Sequence, residues 1–151
     1  MSKLPYLLYF LYHRLYIWRV PVVPKILVFI NRLIWGAYIP ASCTLGKGVR
    51  FAYGGSGVVI HGDSIVGANC IIGTGVTIGG RGNHSKGSHL PKIGDNVNIA
   101  TGAKILGPVR IGNNVVIGAN TVVIKDVEDN VVVAGIPAKV IKKNIDVSEY
   151  S

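Results

Sequence analysis

An all-β chain, wound as a parallel β-helix behind a short helical segment, is what three features of these 151 residues predict. An aliphatic residue returns every six positions: Ile60, Val66, Ile72 and Ile78, then Ile93, Ile99, Ile105, Ile111, Ile117 and Val123. Glycine or asparagine punctuates the same units, as in "IGTGVT", "IGDNVN", "IGNNVV" and "IGANTV". Composition also changes near residue 39, from a Leu-, Tyr-, Trp- and Arg-rich stretch almost free of Gly to a Gly-rich remainder. A period of six is neither the ~3.6 of a helix nor the unbroken alternation of a plain strand, so it reads as short strands joined by tight turns.

The first 38 residues predict two short helices, separated where Pro21 and Pro24 remove helix donors and bias the residues before them away from helix. A secretory signal fits poorly, because the apolar run from Leu4 to Tyr12 meets His13 and Arg14 with no small-residue cleavage site. A membrane span fits poorly too, since no uncharged stretch of about 18 residues exists. What remains is an amphipathic hairpin that packs on its own oligomer or rests in a membrane interface, where Trp and Tyr beside Lys and Arg are at home.

Residues 39 to 133 predict the β-helix: each hexad forms one flat face with its aliphatic residue inward, three faces make a coil, and about four to five coils stack. The fifth position of a unit is often small or β-branched, as at Val76, Val97, Val115 and Thr121, and turns take Gly or Asn. Both ends of such a stack need caps, and the helices and the segment 134 to 151 are the candidates. Register breaks twice. Phe51 to Ile60 spans nine positions around "GGS", residues 54 to 56, and Ile78 to Ile93 spans fifteen, which predicts a long surface loop over 79 to 92.

A formal charge of +9, with Lys3, Arg14, Arg19, Lys25, Arg32, Lys47 and Arg50 all ahead of the first acid, Asp63, points to an anionic partner: a membrane surface, a nucleic acid or a phosphorylated ligand. The two cysteines, Cys43 and Cys70, show no metal-like spacing and are too few for a disulfide framework, which suits a reducing cytoplasm.

The runs "GVTIGG", "HLPKIGDNVNIATGAKILGPVRIGNNVVIGANTVV" and "VVAGIPAKVI" resemble the hexapeptide-repeat acyltransferases, and within them serine acetyltransferase and its short relatives that O-acetylate sugars in surface-polysaccharide pathways. The resemblance covers roughly residues 39 to 143. It implies a left-handed coil, a homotrimer or a dimer of trimers with sites between neighbouring prisms, and acetyl-CoA as acetyl donor, with no metal and no nucleic acid partner. Carried over by position, Gly102, Ala103 and Gly118 border the pantetheine arm, while Ala134, Gly135, Pro137, Ala138 and Lys139 sit beside the nucleotide. Lys139, Lys142 and Lys143 then suit the CoA phosphates, or form a solvated tail.

Moving an acetyl group from a thioester to a hydroxyl needs a base for the alcohol proton and a donor for the oxyanion, and free imidazole, titrating near ~6.5, suits the first task. In serine acetyltransferases the catalytic histidine precedes a "GIVV"-type strand and is supported by an aspartate. Here "GVVI", residues 57 to 60, marks that strand, but Tyr53 and Ala52 hold the histidine and aspartate positions. The candidate base is therefore His61, directly after the strand, with Asp63 to orient it and Tyr53 as a hydrogen-bond donor; a turn histidine bonded to backbone is the plain alternative. His89 resembles the histidine of the family's "HPKI" element, which helps hold the acceptor, and His84 shares its loop.

The short N-terminal segment and its aromatic, basic hairpin favour a sugar hydroxyl in surface-polysaccharide biosynthesis as acceptor, at the cytoplasmic face of a membrane, with free L-serine as the alternative. A non-catalytic scaffold also fits the loss of the His and Asp pair, although a scaffold has no use for the "AGIPAKVI" tail. A γ-class carbonic anhydrase shares the fold, but the spacing of His84 and His89 falls in a Gly-rich insertion, away from the rigid coils where ligands are expected.

Overall fold

The structure, a computed structural model, describes residues 4–81 and 90–150. Helices α1 (Leu4–Ile17) and α2 (Val23–Trp35) form an antiparallel pair. Pro24 sits in the first turn of α2, where its missing N–H has no partner to lose, and Gly36 closes that helix in the left-handed conformation at φ 66°.

Four coils follow, each contributing one short strand to each of three faces. They are β1 (Thr44–Leu45), β2 (Arg50–Phe51) and β3 (Val59–Ile60); β4 (Ile65–Val66), β5 (Ile71–Ile72) and β6 (Thr77–Gly79); β7 (Lys92–Ile93), β8 (Asn98–Ile99) and β9 (Lys104–Leu106); and β10 (Arg110–Ile111), β11 (Val116–Ile117) and β12 (Val122–Val123). One sheet runs β1-β4-β7-β10 and a second β3-β6-β9-β12. The third runs β2-β5-β8-β11, continues into β13 (Val131–Ala134), and ends on the antiparallel β14 (Lys139–Lys143). Residues of one coil pair with those one coil away, as in Phe51 with Ile72, Ile72 with Ile99, and Ile99 with Ile117.

The period of six is visible directly as burial. All ten aliphatic positions from Ile60 to Val123 point into the prism and are buried, and Val76, Val97, Val115 and Thr121 fill its corners. Each such side chain removed from water is worth about 1.5–3 kcal/mol, so the stack as a whole supplies what strands of two residues lack individually. One corner is tied by a ladder of asparagine amides, Asn69 to Asn96 at 3.4 Å, Asn96 to Asn114 at 3.1 Å and Asn114 to Asn130 at 2.9 Å. All four hold positive φ, which asparagine tolerates better than other side chains.

The first coil presents backbone groups with no coil beneath them, and α1 supplies their partners. Tyr9 Oη donates to the Cys43 carbonyl at 2.8 Å and accepts from the Leu45 N–H at 3.1 Å. Tyr12 Oη donates to the Ile39 carbonyl at 2.8 Å and receives the Asn31 amide from α2 at 3.2 Å. Tyr6 reaches Gly46 O, and His13 Nδ1 lies 2.6 Å from Ala41 O. The rings pack as well, with Tyr9 edge-on to Tyr12 at 5.5 Å and stacked on His13 at 5.1 Å. The hairpin is therefore a lid on the prism. The C-terminal tail packs on the outer side of the β2-β5-β8-β11-β13 face, where Ile145 lies on Val116 and Val132 with Val147 and Tyr150 partly buried against them.

Burial pushes the Cys43 thiol up to about 12 and the Cys70 thiol up to about 11, and raises the phenols of Tyr9 and Tyr12 above their ordinary range. All four acids are held neutral in the folded protein. Their effect on stability is complete below the ordinary values of 9.0 and 10.0 and is lost as pH climbs through the folded ones. The expected outcome is a melting temperature that falls steadily above pH ~9; a melting temperature unchanged to pH ~11 would contradict it. Tyr12→Phe, which leaves the Ile39 carbonyl and the Asn31 amide buried without that partner, should cost about 1–3 kcal/mol in denaturant unfolding.

Candidate functional site

The candidates fall on two edges of the prism, on either side of the β3-β6-β9-β12 face. Turns 52–58, 73–76, 100–103, 118–121 and 134–138 stack along the edge where the chain enters that face. His61 begins the turn that leaves β3 on the opposite edge.

Along the entry edge the turns are linked rung by rung: Gly75 N–H donates to Ser56 O, Gly102 N–H to Thr74 O, and Asn120 N–H to Thr101 O, at 2.8 to 2.9 Å. Gly102 has φ +76°, and the space a Cβ would take there is filled by Asn120 Oδ1. Ala103 is buried just behind it. Gly118 N–H donates to Val133 O, and a side chain at Gly118 would crowd Ala134. Gly135 accepts from Val122 N–H at 3.1 Å, the Ile136–Pro137 peptide is cis, and Ala138 N–H returns to Val122 O at 2.9 Å. The structure thus gathers Gly118, Ala134, Gly135, Pro137 and Ala138 beside β12 and sets Gly102 and Ala103 one coil below. Small residues leave this edge with little more than backbone, a surface an extended ligand can follow closely.

Tyr53 occupies the lowest turn of the same edge. The nine-residue interval from Phe51 to Ile60 is a 3-10 turn over Ala52–Gly55, with Tyr53 at φ 46° and its side chain 89% exposed. Trp35 of α2 packs against Gly54 so closely that its indole takes the space of a Cβ there. The lid helix therefore sets the turn that presents Tyr53.

His61 is half-buried and tied by backbone, its N–H donating to Ile78 O at 2.8 Å and its carbonyl accepting from Ser64 N–H at 3.1 Å. Asp63 reaches the ring through its backbone, not its carboxylate: the Asp63 N–H donates to His61 Nδ1 at 3.3 Å. Arg81, from which the long loop departs, follows the β6 strand that stacks on His61. His84 and His89 lie outside the described residues. Among the described residues no three of His, Cys, Asp and Glu gather as metal ligands.

Lys104, in the middle of "GAKILG", is a cation the sequence reading passed over. It lies half-buried on β9, between the two edges, and its ammonium donates to Gly75 O at 2.5 Å. At the C-terminal end, Lys143 pairs with Glu128 at 2.7 Å and Lys142 approaches Glu149 at 3.9 Å, whereas Lys139 makes no ion pair among the described residues. Lys139 lines a concavity of about 370 Å³ with Lys125, Pro137 and Ala138. A groove of about 600 Å³ lies between Lys47, Arg50, Asn69 and Asn98 and includes neither His61 nor Tyr53. In the single chain Tyr53 is exposed and His61 half-buried.

Residues 91–125 match the family model described as bacterial transferase hexapeptide (six repeats). A serine acetyltransferase of Synechococcus elongatus is 45% identical over 132 residues, 87% of this chain and 53% of that protein. Among solved structures, serine acetyltransferase of Brucella abortus in complex with coenzyme A overlays with TM-score 0.87 at 35% identity, covering 92% of this chain and 55% of that one. Serine acetyltransferase of Neisseria gonorrhoeae in complex with serine gives TM-score 0.84 at 34% identity, over 91% and 55%. The chain spans about half the length of the relatives it matches. The fold is accordingly a left-handed parallel β-helix of hexapeptide repeats with short N-terminal helices. The expectation of a sugar acceptor is corrected by these relatives, which carry the name serine acetyltransferase across 87% of the chain. That expectation rested on chain length and on the hairpin, and neither identifies an acceptor.

Gly54→Ala forces a Cβ into the Trp35 indole and strains a residue at φ +72°. It should cost about 1–3 kcal/mol in denaturant unfolding, with increased protease cleavage near Tyr53; wild-type stability would show that Trp35 does not hold this turn.

Proposed function

From this likeness we propose that the chain is an acetyl-CoA-dependent serine O-acetyltransferase. The observation that carries the proposal is the overlay of more than nine-tenths of the chain on serine acetyltransferases, one solved with coenzyme A and one with serine. The pantetheine arm runs along the small-residue edge from Ala138 and Gly118 toward Gly102, and Lys139 faces the phosphates. In a homotrimer, neighbouring copies of the chain pack along the two edges that carry Tyr53 and His61.

In this reading His61 takes the proton of the serine hydroxyl, whose oxygen attacks the thioester carbonyl. The C–O bond forms, the C–S bond breaks, and the proton passes on to the departing thiolate. For Nε2 to act as base, the ring carries its own proton on Nδ1, so the 3.3 Å bond from Asp63 N–H must be given up. A bond of that length is weak, and its loss costs about 1 kcal/mol or less. Because the contact comes from the Asp63 backbone, the carboxylate itself is not required for it.

Thiol release from acetyl-CoA by the purified chain should depend on L-serine and yield O-acetylserine. His61→Ala should lower kcat by ~10²-fold or more, while Asp63→Asn stays within about 3-fold of wild type. Turnover of L-serine with an unaffected His61→Ala would move the base elsewhere, and binding of acetyl-CoA without any transfer to serine would sink the acceptor assignment.

A further inference from the structure

The N-terminal hairpin is apolar on both sides, and the prism uses only one of them. On α1 the inward side carries the buried Pro5, Tyr9 and Tyr12, while Leu7 and Leu11 on the opposite side, and Trp18 in the turn just after the helix, are exposed. On α2, Pro24 and Asn31 are buried, and Ile26, Phe29 and Leu33 form the outward stripe. Trp18 is 66% exposed, Phe29 63% and Leu33 74%, so most of each residue's surface faces solvent. Two neighbouring apolar stripes form a patch that a soluble surface seldom carries without a partner.

Charge identifies the partner. Arg14, Arg19, Lys25 and Arg32 are exposed on the same hairpin, and no Asp or Glu precedes Asp63. The guanidinium of Arg14 lies 5.1 Å from the Phe10 ring and that of Arg32 lies 5.8 Å from Tyr38, so the cations run along the aromatic surface. Among the described residues the ion pairs belong to Lys142 and Lys143, not to these four. A second copy of the hairpin laid on the first would set like charges against like. A bilayer with anionic headgroups satisfies the stripe and the cations together, with Trp18 near the hairpin turn at the headgroup level. Neither helix is long and apolar enough to cross a membrane, which leaves lying on it.

We propose that α1 and α2 rest in the interface of an anionic phospholipid membrane, with Leu7, Leu11, Trp18, Ile26, Phe29 and Leu33 among the acyl chains and the prism standing above. This docking does not depend on the acetyl-transfer reading. The experiment is flotation of the whole chain with phosphatidylcholine vesicles containing ~30% phosphatidylglycerol, against pure phosphatidylcholine, with particle mass by light scattering. Expected are at least ~10-fold tighter binding to the anionic vesicles and weakening by salt. A similar loss is expected in Arg14→Glu/Lys25→Glu, at roughly fivefold per charge, and in Phe29→Ser/Leu33→Ser. Should the apolar variant fail to fold, the charge-reversal variant, confined to exposed positions, carries the test. No flotation with anionic vesicles, or equal binding to both kinds, overturns the proposal. So does an apolar variant that lowers the particle mass while flotation is unchanged, because the face is then a contact between copies.

Discussion

Every strand in the prism is two to five residues long, so none can stand without the coil beside it, and the pairing of backbone groups from coil to coil is the constraint on which the rest depends. Such a ladder satisfies its own interior and leaves its two ends open. At the lower end Tyr9 and Tyr12 bring buried hydroxyls to Cys43 O, Leu45 N–H and Ile39 O. An apolar cap would cover the same surface yet leave those groups dry and unpaired, at about 1–3 kcal/mol for each. The hairpin is thus part of the fold that makes the first coil possible. Trp35 extends its influence to the turn of Tyr53.

The same constraint shapes the site. Turns stacked on the small-residue edge are bonded to their neighbours above and below, so that edge is a rigid backbone surface. His61 is anchored through its backbone to β6 in the same way, and its ring accepts a long bond from Asp63 N–H. Tyr53 and Ala52 stand where the resemblance implies a histidine and an aspartate, and His61 lies beyond β3, on the other edge of the same face.

The prism was legible in the sequence because the inward position of each hexad leaves a period: Ile60 through Val123 are the very residues that fill the interior. Turn asparagines were legible for the same kind of reason, since positive φ selects them at Asn69, Asn96, Asn114 and Asn130. The lid was not. Tyr6, Tyr9 and Tyr12 read as aromatic helix residues, and nothing in their spacing says that their hydroxyls end on the carbonyls of the first coil. Of the site, the small-residue edge follows from "GAKILG" and "AGIPAKVI", but the tie between Asp63 and His61 does not, because a backbone amide has no signature in side-chain identity. Lys104 was passed over because a lysine on a strand ordinarily reads as a solvated residue, and its bond to Gly75 O depends on which coil lies next to it. Acceptor choice was misread from the hairpin, whose patterning concerns the cap and the outer surface.

The central claim is that the base has moved to His61, and chemical rescue tests it most directly. Free imidazole added to His61→Ala should restore serine-dependent thiol release in proportion to its neutral form, and should do nothing for Tyr53→Ala. Failure of imidazole to rescue a folded, acetyl-CoA-binding His61→Ala protein, with Tyr53→Ala equally inactive, would contradict the account and return the chemistry to the turn held by Trp35.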